Sequence, residues 1–144
     1  MDDVDRKILA LLVEDARRTY DDIARQVSLS APAVKRRVDR LRATGAITGF
    51  TAVVDHSAMG DHTEALIELF FAPGTLLDAV AETLASHPEV LEAWSVTGEG
   101  DAIARVRTHD NADLERLIRE LQRDGQVVRT RSQVVLSRLV AVRA

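Results

Sequence analysis

Between Arg25 and Gly45 the chain carries six basic residues (Arg25, Lys35, Arg36, Arg37, Arg40 and Arg42) against one acid, Asp39, a local charge of +5 where the whole chain totals −4. Groups of this type at this density bind polyanions. Each phosphate neutralised releases condensed counterions, and an arginine fork also grips the O6/N7 edge of guanine. A solvated basic helix face is the plain alternative, and charge alone does not separate the two. Other chemistries lack their residues. There is no cysteine, and His56, His62, His87 and His109 show no HxxxH-type spacing that could converge on a metal ion. Gly98-Glu99-Gly100 lacks the following helix that a phosphate-binding glycine loop needs, and no nucleophile elbow occurs. No catalytic residue, metal or cofactor is expected, and the chain does not read as an enzyme.

The elements around the basic cluster separate the two readings. Thr19 can cap a helix running through Ile23 and Val27, with Asp22 placed to cap in return. Ser28-Leu29-Ser30 reads as a turn, and Ser30 can cap a second helix whose first turn tolerates Pro32. Along that helix Val34, Val38 and Leu41 form an apolar stripe, and Gly45 suits a left-handed stop. Two short helices about a tight turn, the second of them basic, make a helix-turn-helix, which reads the DNA major groove. The first turns of such a helix lie deepest in the groove. That nominates Ser30, Ala31, Ala33, Lys35, Arg36 and Arg37 for base or near-base contacts, and Arg40 and Arg42 for phosphates. For Arg37 a salt bridge to Asp22 or to an acid on the first helix is the alternative. Residues 3 to 16 supply that first helix, with Val4, Ile8, Leu11 and Leu12 at helical spacing and Asp2, Asp3 and Asp5 at its positive end.

Ile47 to Val54 is β-branched and reads as a strand leaving the DNA-binding unit as a wing or linker. Beyond it the apolar periods alternate. Strands are expected at Glu64–Phe71, Val90–Thr97, Ala102–Thr108 and Val127–Val142. Helices are expected from a Thr75 cap to about His87, and from an Asn111 cap to about Arg123. The order β-α-β-β-α-β is the ferredoxin-like split βαβ, an antiparallel four-stranded sheet with two helices on one face. The fold class is therefore α+β, with a helix-turn-helix (winged-helix-like) domain at 1–46, a strand and loop linker at 47–62 and a ferredoxin-like domain at 63–144.

Charge divides along the same line. Residues 1–45 hold ten basic and eight acidic groups, residues 46–144 nine and fifteen, so the second half is not a nucleic-acid surface. Without an apolar leader or a run near 20 apolar residues, a cytoplasmic, nucleoid-associated protein is expected. Seventeen of the 19 basic residues are arginine, which suggests a GC-rich bacterial genome. Apolar residues at both parities in Ala65–Phe71 and Val134–Val142 suggest a sheet buried on two sides, and homodimerisation through the open face would cover it. A dimer would also set two recognition helices on half-sites roughly 34 Å apart. Trp94 reads as core or dimer packing.

Residues along the whole chain carry a resemblance. The segment Asp2, Asp5, Arg6, Lys7, Ile8, Leu9, Leu12, Asp15 and Arg17, the pattern Leu29, Ser30, Val34, Arg37, Val38 and Leu41, the GxIxGFTAVVD-like strand, and Thr97, Gly98 and Asp101 resemble the Lrp/AsnC transcriptional regulators. The resemblance implies a DNA-binding homodimer that assembles to tetramers or octamers, and a small effector, typically an amino acid, held between dimers. By position it assigns that effector to Gly98, Glu99, Gly100 and Asp101 of one subunit, with Thr130, Ser132 and Gln133 of a neighbour. Read from the residues alone, Gly98 and Gly100 are hairpin turn residues and Asp101 a turn cap. The family pattern often has an aromatic where this chain has Gly100, and another where it has Ala102. A sirohaem-decarboxylase-like enzyme of the same architecture, or a ligand-independent architectural regulator, is the alternative. The first would need His and Arg around a pocket, and no histidine lies near residues 97–101.

Overall fold

In the computed structural model, which describes residues 1–140, the chain forms two compact units, Met1–Val53 and Val54–Leu139. The first contains three helices, α1 (Asp3–Glu14), α2 (Tyr20–Val27) and α3 (Ala31–Ala43). Asp2 and Asp5 close a reciprocal capping box at the start of α1, each carboxylate accepting the other residue's backbone N–H. Thr19 caps α2 through the Asp22 N–H, and Ser30 caps α3 through the Ala33 N–H. Asp22 does not cap in return: its carboxylate takes Arg18 instead. Ser28, in the left-handed region at φ 55°, makes the turn between α2 and α3. Ile8, Leu12, Ile23, Val34, Val38 and Leu41 are buried together, so each helix contributes its apolar stripe to one small core.

The strand expected at 47–54 does not form. Ile47 donates its N–H to the Leu41 carbonyl and packs on the three-helix core, which draws the first residues of this segment into the N-terminal unit. Beyond it Phe50, Val53 and Val54 are exposed, with no neighbouring strand to complete a ladder.

The second unit opens with a 3₁₀ turn at His56–Met59 and then follows the expected order: β1 (Thr63–Phe71), α4 (Leu77–Ala85), β2 (Val90–Ser95), β3 (Ala102–Thr108), α5 (Asn111–Leu121) and β4 (Val127–Val134). All pairings are antiparallel, in the sheet order β2-β3-β1-β4. Ala65, Ile67 and Leu69 of β1 and Ala102, Ala104 and Val106 of β3 alternate onto one face, where Val80 and Leu84 of α4 and Leu114, Leu117 and Leu121 of α5 bury them.

Several boundaries differ from expectation for local reasons. Helix α4 starts at Leu77 without a side-chain cap, because Leu76, one residue beyond the expected Thr75, takes the cap position and has no acceptor to offer; Thr75 belongs to the preceding turn, donating its N–H to Ala72. Asp110, not Asn111, caps α5, and Asn111 instead accepts from the Thr63 hydroxyl. Strand β4 ends at Val134, which faces Ala65; the Val135 N–H still reaches the Glu64 carbonyl, and beyond it the chain leaves β1, which itself continues to Thr63. The remainder of the long strand expected to Val142 includes Ala141 and Val142, which lie outside the described residues.

The open face of the sheet is not the apolar surface expected. Glu64 bridges Arg105 at 2.7 Å and Arg107 at 3.1 Å, Arg105 also meets Glu92 at 3.4 Å, and Arg131 meets Glu68 at 3.2 Å. Burial raises the Glu64 carboxyl, but the two guanidinium groups beside it outweigh that and hold it below the ordinary carboxylate range. Phe70 lies under the Arg129 guanidinium, 3.8 Å from its ring centre. Leu66 and Trp94 stay partly exposed among these charges, so Trp94 is no core residue.

Candidate nucleic-acid interface and effector loop

Helix α3 presents its basic groups in three distinct states. Arg37 donates to Asp2 at 2.7 Å and to Asp5 at 2.8 Å, and Arg40 donates to both Asp5 oxygens at 2.9 and 2.7 Å. Asp5 is fully buried and has its carboxyl lowered from 3.8 to about 2, first by the backbone hydrogen bond from Asp2 and then by Arg37. These contacts clamp α1 to α3. Of the two readings open for Arg37, the structure selects the salt bridge, and to α1 rather than to Asp22. Arg40 keeps a half-exposed side chain but its guanidinium is committed in the same way.

Lys35 is exposed and pairs with Asp39 one turn on, at 2.6 Å. Arg36 and Arg42 are exposed and meet no carboxylate within ion-pair distance among the described residues. Ser30 spends its hydroxyl on the cap, and Ala31 and Ala33 are half-buried, so the helix start is small and smooth. The sequence therefore overcounted the free cations of α3. Asp39, in the sequence only a lone acid within a basic run, stands on the exposed side of α3. Its signal was the i, i+4 spacing to Lys35.

In the second unit the loop Gly98–Asp101 is knitted to β1. Asp101 donates its N–H to the Leu69 carbonyl and its carboxylate accepts from the Phe71 N–H at 2.7 Å. Gly100 donates to Glu68, whose side chain fills the space where a Cβ on Gly100 would stand. Glu99 meets Arg131 at 2.8 Å, which ties this loop to β4 of the same chain. On β4, Thr130 pairs with Leu69 and Ser132 with Ile67, while Gln133 pairs with Leu66. Thr130 and Ser132 thus lie on the helix side of the sheet and Gln133 on the open side, because successive strand residues alternate faces. The chain brings loop and strand together but does not turn all seven candidate residues toward one point.

Comparison with known proteins agrees with both halves. A model of the AsnC-type helix-turn-helix domain matches residues 1–42, and one of the Lrp/AsnC ligand binding domain matches residues 64–144. The chain is 46% identical to the HTH-type transcriptional regulator Rv2324 of Mycobacterium tuberculosis, over 97% of this chain and 95% of that protein. Among solved structures, the feast or famine regulatory protein Rv3291c of M. tuberculosis, complexed with L-methionine, superposes with a TM-score of 0.92 at 30% identity, covering 99% of this chain and 97% of that one. E. coli AsnC superposes with a TM-score of 0.88 at 26% identity, covering 98% and 95%. No helix among the described residues is long and apolar enough to cross a membrane.

Proposed function

Since the chain belongs to the Lrp/AsnC family of transcriptional regulators and carries that family's ligand-binding domain, we propose that it binds operator DNA through α3 and answers to an amino-acid effector. One observation carries the DNA reading: α3 starts sharply at a Ser30 cap, begins with small residues, and then offers Arg36 and Arg42 unpaired and exposed. Lys35 stands beside them. Arg37 and Arg40 serve by holding α3 against α1 rather than by touching DNA. Of the eight candidate contacts, Ser30, Ala31, Ala33, Lys35, Arg36 and Arg42 remain at the interface.

Support for the effector reading comes from the matched ligand-binding domain and from the L-methionine complex of the similar Rv3291c protein. In this chain the Gly98–Asp101 loop, beyond the groups it spends on β1 and β4, offers the second Asp101 carboxylate oxygen and the Gly98 and Glu99 N–H groups, and Thr130, Ser132 and Gln133 add hydroxyls and an amide on β4. A homodimer, assembling further to tetramers or octamers, would bring these groups together from neighbouring subunits.

A gel-shift assay on the gene's own upstream DNA tests the DNA reading. Arg36→Ala combined with Arg42→Ala is expected to weaken binding at least tenfold and to lower the salt slope by about 0.9 for each phosphate that is no longer neutralised. Affinity equal to that of the unmodified protein would refute the assignment of α3.

A further inference from the structure

Asp39 sits where a phosphate backbone does not benefit from it. At about 100° per residue, Pro32, Arg36 and Ala43 point away from the buried stripe of Val34, Val38 and Leu41, Asp39 lies on the flank between them and Lys35, and all four are exposed. The acid therefore stands on the side of α3 that the proposed function turns toward DNA. Within the helix it gains little. Aspartate is a weak helix former, and its ion pair with Lys35 has the weaker of the two i, i+4 orientations. Against DNA it repels phosphates and occupies Lys35, one of only three α3 cations not committed to α1.

A group that costs general affinity while adding little to the helix is suited to discrimination, which works by penalising wrong partners. Resting on the reading of α3 as the recognition helix, we propose that Asp39 is a specificity-determining residue of the DNA-reading face. Paired with Lys35 at 2.6 Å, it withholds that ammonium group from the phosphates and favours sites that offer its carboxylate a donor, the N4 amino group of cytosine. Arg36, one turn earlier on the same face, is left as the free guanidinium for a guanine edge. A site read in this way contains a cytosine and a guanine in each half.

The test uses the full chain, unmodified and as Asp39→Asn, Lys35→Ala and the double variant, with circular dichroism to check that each folds. On random-sequence duplex, Asp39→Asn is expected to bind more tightly and to steepen the log–log salt slope by about 0.9 for each recognition helix, about 1.8 for a dimer, a roughly twelvefold larger loss of affinity over a roughly fourfold rise in salt. Lys35→Ala alone leaves the slope unchanged, and in the double variant the added slope disappears. Selection from a randomised duplex pool should enrich one cytosine position per half-site that Asp39→Asn alone no longer enriches. An Asp39→Asn protein with the original slope, or with the original enriched motif, overturns the proposal while α3 still reads DNA. An unmodified protein that enriches no motif overturns both.

Discussion

At the scale of single residues, Arg36 and Arg37 are neighbours in the chain with different work. Arg36 projects freely from α3, whereas Arg37 closes on Asp2 and Asp5. The division could not be read from spacing, because Asp5 lies 32 residues before Arg37 and only the packing of α1 on α3 brings them together. Arg37→Ala is expected to leave the buried Asp5 short of a donor and to lower the thermal midpoint of the N-terminal unit by several degrees, measured by circular dichroism. Arg36→Ala should leave that midpoint within error. Since folding depresses the Asp5 carboxyl from 3.8 to about 2, its contribution to stability is fully present above about pH 4 and is lost as pH falls through about 2. Arg37→Ala should therefore flatten the acid limb of the stability curve, and an unchanged limb would count against the clamp.

At the scale of elements, starts and stops follow local chemistry where a side chain competes for a backbone group. Thr19, Ser30 and Gly45 were legible because caps and left-handed turns obey short-range rules. Asp110 and Asn111 are both good caps, and the tie is broken by Thr63, whose hydroxyl engages Asn111 from a distant strand. Asp110→Ala is expected to cost about 1 kcal/mol in urea unfolding, because it orphans the Asp113 N–H. Asn111→Ala should cost less, and the reverse ranking would show the cap misassigned. The strands at 47–54 and beyond Val134 were overextended for a single reason. A β-branched run states a preference, but a strand exists only where the chain stays beside a partner, and beyond Val135 it leaves β1 although β1 continues to Thr63.

At the scale of the whole molecule, the open sheet face carries a grid of ion pairs interrupted by Leu66, Ile103 and Trp94. Exposed Leu66 and Trp94, with several arginines already paired beside them, leave apolar and aromatic area that a second subunit could cover. Light scattering is expected to return a mass of at least twice the 15.8 kDa chain, rising toward tetramer or octamer when a cognate amino acid is added. A monomer at micromolar concentration would refute the assembly. The sequence by itself determined the element order, the two-part organisation and the family, because periodicity, capping and motif spacing act over a few residues and survive without tertiary contacts. Tertiary structure alone decided which cations are free, how the 98–101 loop is tied to β1 and β4, and what lines the open face. Those outcomes depend on charges and strands that are remote in sequence, and only the packed chain decides which of them meet.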